Sequence, residues 1–298
     1  MKNILIIGSG LIGSSVLRAV HAKKLARNIY VYEKSKKNIS IIKKLKLGCK
    51  IINKLDNIFN NIDLIILCTP MSQYKNVITK INKNILNNAI VTDVGSTKES
   101  SFKQVKKLLN KNKIWIPSHP ITGSEVSGAE HGDKNLFKNK WCVLIKEKNT
   151  KKNHLTKLNK FWKKIGSKVV VMSPEKHDKI FSMTSHLPHL IAYNLVKSAL
   201  DFEKTQNFDL IKYSAGGLRD FSRIAASNEI MWRDVFLSNK KNIVSAINLF
   251  TKNLNLFKKN IERKDSKQLV KKLINSKKVR KQIIKLKQDI DKPDFGRK

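Results

Sequence analysis

The sequence predicts an α/β segment followed by an all-α segment, and three observations carry that expectation. The first half contains short apolar runs at 4–7, 29–32, 64–68, 89–92, 114–116, 142–145 and 169–172, several of them separated by Lys-rich, helix-compatible stretches such as 39–47 and 101–110. Such alternation is the signature of βαβ units and a mostly parallel sheet. After Ser173-Pro174 the short runs stop and helical periodicity takes over. The chain has 298 residues with 41% hydrophobic content, enough core for one large domain or two ordinary ones. We therefore place the first domain at 1–174 and the second at 175–298.

The first run leads directly into Gly8-Ser-Gly10-Leu-Ile-Gly13, a G-x-G-x-x-G pattern between a strand and a helix. These glycines also interrupt the N-terminal apolar stretch, so strand–turn–helix explains it better than a secretory signal. In this setting Gly8 makes the tight turn, Gly10 lets a pyrophosphate approach the backbone, and Gly13 lets helix and strand pack closely. The helix start at Leu11 and Ile12 supplies free N–H donors and a positive dipole end for phosphates. The second run ends in Tyr32-Glu33, and Glu33 lies 20 residues after Gly13. A carboxylate there accepts hydrogen bonds from adenosine ribose hydroxyls and repels a 2′-phosphate. The first domain is thus expected to be Rossmann-like and to bind NAD. Lys34, Lys36 and Lys37 make NADP the alternative.

The later runs end at polar groups. Thr69 directly follows 64–68, and Asp93-Val-Gly-Ser96-Thr-Lys98 follows the fourth run, at the carboxyl edge where such sheets bind ligands. The expected cofactor contacts are Gly8, Gly10, Leu11, Ile12, Gly13, Glu33, Thr69 and Ser96. After the run at 114–116 comes Ser118-His119-Pro120-Ile-Thr-Gly123-Ser-Glu125. The second half carries His186-Leu-Pro-His189, Gly216-Gly-Leu-Arg219-Asp220 and Met231-Trp232-Arg233-Asp234. From Phe236, apolar Ile243, Ile247, Phe250, Leu254, Phe257 and Ile261 follow at steps of 7, 4, 3, 4, 3 and 4. One near-heptad helix face is expected, suited to burial against another helix or a second subunit.

Charge and cysteine usage narrow the class. With 61 Lys and Arg against 22 Asp and Glu the net charge is +39, but the lysines are spread over every segment. A nucleic-acid site would instead concentrate them locally and interleave exposed aromatics. No apolar run approaches the roughly 18 residues of a membrane span. Cys49, Cys68 and Cys142 are odd in number and lack a His cluster, so neither a disulfide framework nor a metal site is expected. A reducing, cytoplasmic setting follows from that usage.

Taken together, the glycine loop, the His119-Pro-x-x-Gly stretch, His-Leu-Pro-His189 and Gly-Gly-Leu-Arg219-Asp resemble the prephenate and arogenate dehydrogenases over about residues 4–240. The resemblance implies a helical dimerisation domain, a homodimer, and oxidative decarboxylation of prephenate to 4-hydroxyphenylpyruvate in tyrosine biosynthesis, with NAD as hydride acceptor. The alternative is arogenate or dual cyclohexadienyl use. It also implies that His119 takes the hydroxyl proton, Ser96 hydrogen-bonds the same hydroxyl, and Arg219 grips a substrate carboxylate. His189, together with His186, helps to seat the substrate, and Glu125 gates the site. The residues alone leave other readings open. His119 could be a loop histidine, and His186 and His189 a polar pair in a core. Arg219 could pair with Asp220 or Asp234, and His177 could line the cleft or lie on the surface. A 3-hydroxy-acid dehydrogenase would need a lysine base on the helical domain, and no candidate stands out; a non-catalytic basic binding protein is the other rival.

Overall fold

The computed structural model describes residues 1–55, 61–123, 125–207, 209–286 and 288. The first part of the chain builds β1 (Asn3–Ile7), α1 (Leu11–Ala22), β2 (Asn28–Tyr32), α2 (Lys36–Lys44), β3 (Lys50–Ile52), β4 (Leu64–Leu67), α3 (Tyr74–Ile81), β5 (Ile90–Asp93), α4 (Glu99–Leu108) and β6 (Ile114–Trp115). These strands form one parallel sheet in the order β3-β2-β1-β4-β5-β6. That is the doubly wound dinucleotide-binding order, with its switch point between β1 and β4.

Period-2 alternation sends each strand's side chains to two helical layers. Ile4 and Ile6 of β1 join Leu64, Ile66, Val16 and Val20 on one face. Leu5 and Ile7 join Ile65, Leu67, Tyr74, Ile78 and Ile81 on the other. β1 is buried along its whole length, as a central parallel strand covered on both faces must be.

Next come β7 (Ser118–Pro120), β8 (Trp141–Ile145), α5 (Lys152–Lys164), β9 (Lys168–Met172) and α6 (Pro174–Phe181). The apolar runs at 142–145 and 169–172 do not extend that parallel sheet. β7, β8 and β9 form a separate three-stranded sheet in which β7 runs antiparallel to β8. Ser118 anchors it beside the first sheet, donating from its Oγ to the Asp93 carbonyl at 2.6 Å. His119 consequently lies in a short strand and not in a loop.

The remaining helices are α7 (Leu187–Gln206), α8 (Gly216–Ala225), α9 (Glu229–Ser238), α10 (Lys240–Glu262) and α11 (Ser266–Lys285). Two compact units result: Met1–His186 with Ala226–Lys240, and Leu187–Ala225 with Lys241–Lys298. The first unit runs through Ser173-Pro174, where the sequence pattern changes, as far as His186. The single stripe expected from Phe236 to Ile261 is interrupted. Phe236 belongs to α9, which ends before Asn239, and α10 carries the stripe from Ile243 onward. In the second unit Lys272 of α11 sits over the Phe257 ring of α10, 5.1 Å from its centroid. Leu254 and Ile261 on α10 remain 53% and 62% exposed. No helix among the described residues is long and apolar enough to cross a membrane. The end of the chain from 289, where fraying was expected beyond Pro293, lies outside the described residues.

Candidate functional site

The glycine loop leaves β1 in a conformation that L side chains rarely adopt, with Gly8 at φ +91°. A Cβ on Gly8 would stand 2.8 Å from the Cys68 carbonyl oxygen, and one on Gly13 would stand 2.1 Å from the Gly8 oxygen. Both positions are therefore closed to any larger residue. At Gly10, by contrast, no atom of the described residues lies within 4 Å of where a Cβ would stand, so that side of the turn is open. Gly10 also gives α1 no side-chain cap, leaving the first-turn amides of Leu11, Ile12 and Gly13 for a ligand. Beside this cradle the buried Thr69 Oγ1 has no hydrogen-bond partner among the described residues. An open glycine face, uncapped amides and an orphaned hydroxyl fit a bound pyrophosphate.

Glu33 is more engaged than its sequence position announced. One oxygen accepts from the backbone N–H groups of Lys34 (2.7 Å) and Ser35 (2.8 Å). The other accepts from both the amide and the hydroxyl of Ser9, each at 2.7 Å. Partial burial works against ionisation, but the hydrogen bonds from Ser35, Ser9 and Lys34 outweigh it and hold the carboxyl below the usual carboxylate range. Glu33 thus stays charged at the end of β2 and ties its own loop to the glycine turn. Lys37, one of the lysines that would attract a 2′-phosphate, is paired with Glu130 at 2.5 Å.

A second cluster lies at the end of β5. Asp93 accepts from Lys98 Nζ (2.7 Å), Tyr74 Oη (2.9 Å), the Gly95 amide (3.1 Å) and the Ser118 amide (3.1 Å). Lys98 is 0% exposed, and burial lowers its pKa although Asp93 opposes the shift. This carboxylate therefore fixes both the loop carrying half-buried Ser96 and the start of the strand carrying His119. Neither Lys98 nor Asp93 was singled out as a site residue, because a charged pair next to a glycine reads as solvated loop.

His119 is 8% exposed and its Nδ1 lies 2.8 Å from His177 Nε2. His177 Nδ1 in turn lies 2.7 Å from Asp178 Oδ1. An ionised carboxylate only accepts, so the proton of His177 sits on Nδ1 and its Nε2 is a lone pair. His119 must then donate from Nδ1, which leaves its own Nε2 as an acceptor. Among the described residues no hydrogen bond reaches that Nε2. Burial, then the neighbouring His177, Lys98 and His186, pushes the His119 pKa well below its ordinary value. The imidazole is neutral, tautomer-fixed and ready to take one proton. His177, open to two placements in the sequence, proves fully buried.

The other expected residues lie as follows. His186 is buried at the end of a short π-turn, with Nδ1 3.1 Å from Asn239 Nδ2 and its ring against Trp232. Glu125 is half-buried beside Ser124, which lies outside the described residues. His189, half-buried in the first turn of α7, and Arg219, exposed on α8, belong to the second compact unit. Arg219 has no ion-pair partner among the described residues, and Asp234 is taken by Arg233 at 2.7 Å. No group of three or more His, Cys, Asp or Glu among those residues is arranged to hold a metal ion.

Comparison with known proteins matches the chain to two family models. The prephenate dehydrogenase nucleotide-binding domain covers residues 16–171, and the prephenate dehydrogenase dimerization domain covers 173–275. A cyclohexadienyl dehydrogenase of Zymomonas mobilis is 32% identical over 97% of this chain and 98% of its own length. A prephenate dehydrogenase of Bacillus subtilis is 30% identical over 89% of this chain and 72% of its own. The crystal structure of prephenate dehydrogenase from Aquifex aeolicus with hydroxyphenyl propionate and NAD+ is 35% identical, covers 95% of this chain and 98% of that one, and superposes with a TM-score of 0.89.

Proposed function

The chain belongs to the prephenate dehydrogenase family, and we propose that it catalyses the NAD-dependent oxidative decarboxylation of prephenate to 4-hydroxyphenylpyruvate. The observation that carries the reading is the buried His119, hydrogen-bonded through Nδ1 to His177 and held on a strand that Asp93 ties to the cofactor-binding sheet. Gly8, Gly10, Gly13, the amides of Leu11 and Ile12, Glu33, Thr69 and Ser96 would hold NAD, which when bound supplies the hydride acceptor.

His119 Nε2 accepts the proton of the ring hydroxyl as the hydride leaves the same carbon. Loss of CO₂ then breaks the ring–carboxylate bond, and its electron pair makes the ring aromatic. The proton on His119 returns to the phenolate oxygen, so the reaction balances without net proton release. Ser96 orients the hydroxyl, Arg219 holds a carboxylate, and His189 with His186 positions the rest of the substrate. Glu125 controls access. We take 1–174 as the cofactor domain and 175–298 as the substrate and dimerisation domain. The free thiols Cys49, Cys68 and Cys142 suit the cytoplasm as the compartment, with no membrane or nucleic-acid partner.

Arogenate, or both substrates, is the second reading, favoured by the likeness to a cyclohexadienyl dehydrogenase. A matrix assay settles it: prephenate or arogenate against NAD or NADP, followed by reduced nicotinamide absorbance. We expect turnover with prephenate and a kcat/KM preference for NAD, because Glu33 is charged and Lys37 is already neutralised by Glu130. Glu33→Ala should cut that preference by about tenfold, equivalent to roughly 1.4 kcal/mol. A wild-type preference for NADP would reverse the cofactor assignment, and no turnover of either cyclohexadienyl compound would overturn the function.

A homodimer built on the second unit is also proposed. Leu254 and Ile261, both on the near-heptad stripe of α10, stay exposed and offer apolar surface suited to burial against a second copy. Sedimentation equilibrium should give about twice the chain mass of 34.1 kDa at micromolar concentration, and a stable monomer would refute the proposal.

A further inference from the structure

We propose that Asp178 is a positioning residue that sets the proton on His119 through His177 while also fixing the loop that carries Ser96. The inference rests on the reading of His119 as proton acceptor, and its test separates the two.

Asp178 sits in α6, directly after the last strand of the second sheet, and is almost completely buried. Its Oδ1 accepts from His177 Nδ1 and from the Lys98 amide, both at 2.7 Å, and its Oδ2 accepts from the Glu99 amide at 2.9 Å. The last two donors are the first free amides of α4, whose own N-cap, Lys98, offers no side-chain acceptor. A carboxylate 80 positions away along the chain therefore does the capping. Ser96 lies just two residues before that cap. The backbone of Asp178 is held as well, since Asn239 Nδ2 donates to its carbonyl at 2.9 Å.

The two amides sit on different oxygens, so a neutral asparagine could cap only one of them at a time. An aspartate is also needed for the second task, because only a group that cannot donate forces the proton of His177 onto Nδ1. That choice passes along the chain of rings and leaves His119 Nε2 bare. The rings are confined by Phe181, whose centroid lies 4.5 Å from His177 and 5.2 Å from His119. Reorientation of either imidazole would therefore have to displace a packed ring. The charged and titratable groups around His119 are Lys98 and Asp93 from the first sheet's edge, Cys142 on β8, His177 and Asp178 on α6, and His186 in the π-turn. Among the groups just named, Asp178 hydrogen-bonds both to His177 and to the backbone just after the Ser96 loop.

In Asp178→Asn an amide nitrogen in the place of Oδ1 can donate to His177 Nδ1, while the remaining oxygen still caps α4 at the Glu99 amide and the Lys98 amide loses its side-chain acceptor. The relay then runs backwards, His177 donates from Nε2, and His119 carries its proton on Nε2, where it cannot accept. The same substitution at a carboxylate that orients a catalytic histidine elsewhere costs about 10⁴ in kcat through the wrong tautomer. For Asp178→Asn we expect kcat to fall about 10²–10⁴-fold, with NAD affinity and prephenate KM within about threefold of wild type.

Nitrogen-15 NMR of labelled histidine supplies the readout that a purely structural role would not move. Wild type should show His119 protonated on Nδ1, and Asp178→Asn should show it protonated on Nε2. Wild-type His119 protonated on Nε2 would overturn the proposal without need of any variant. So would a variant that retains both the wild-type tautomer and the wild-type kcat, or one that loses only thermal stability. If His119→Asn keeps full turnover, the failure lies in the reading of His119 and not in the relay.

Discussion

His119→Asn is expected to lower kcat by about 10²–10⁴-fold and to leave prephenate KM and NAD binding nearly intact. Asparagine keeps a donor that can reach His177 Nε2, so the buried partner is not stranded. What it lacks is a basic nitrogen opposite the ring hydroxyl. A loss confined to kcat is the mark of an interaction made in the transition state. The pH profile gives an independent check. Burial, assisted by His177, Lys98 and His186, depresses the His119 pKa well below its ordinary value, and His177 is shifted the same way by burial. The acceptor form therefore persists below pH 6.5, and kcat should stay level through that point before falling at lower pH. Stability has the same sign. The unfolded chain binds protons on these histidines from about pH 6.5 downward while the folded chain resists, so stability falls as pH drops below that value. A kcat that declines already between pH 8 and 7 would assign the acid limb to another group. An unchanged kcat in His119→Asn would remove the histidine from the chemistry.

The parallel sheet was legible because each of its central strands is an unbroken apolar run, and the glycine loop because its spacing is dictated by contacts only glycine can make. Two short strands were not. β3 (Lys50–Ile52) begins with an exposed lysine at the sheet edge, and β7 (Ser118–Pro120) has no apolar alternation to betray it. Its pairing is with β8, more than twenty residues further on, a tertiary contact that propensity cannot foresee. His177 was undervalued for a related reason. In α6 the buried residues Pro174, His177 and Asp178 follow an i, i+3, i+4 spacing, which is a core signal written in polar letters. Interrupted by Glu175 and Lys176, that pattern reads as a solvated helix start. Lys98 was hidden in the same way, since a fully buried lysine is rare and the partner that makes it tolerable lies five residues upstream. Conversely, the heptad-like steps from Phe236 overstated continuity. The break before α10 is held by Asn239, whose side chain serves Asp178 and His186 instead of continuing a helix.

Arg219→Ala should raise prephenate KM strongly, with a loss of about 2–5 kcal/mol in apparent binding, equivalent to roughly 30- to 5,000-fold. Arg219 stands in the first turn of α8, and its backbone N–H donates to the Ala215 carbonyl at 3.1 Å whatever side chain it carries. The guanidinium is exposed and has no ion pair among the described residues, while Asp234, a structural alternative, is occupied by Arg233 and by the Ser72 amide at 3.2 Å. A structural role would therefore lose little on truncation, and thermal stability should stay within about 0.5 kcal/mol of wild type. The expected magnitude depends on water being excluded around the bound carboxylate. An arginine that meets its partner in open solvent contributes only about 0–1 kcal/mol. A KM increase below about fivefold would thus place Arg219 among ordinary surface charges. Arg219→Lys keeps the charge but not the planar fork, so it should recover only part of the loss. Full recovery by lysine would mean that net charge, already +39, does the attracting and that no specific carboxylate is gripped. Throughout, kcat at saturating prephenate should change far less than KM, because the carboxylate that Arg219 holds is bound alike in the ground and transition states.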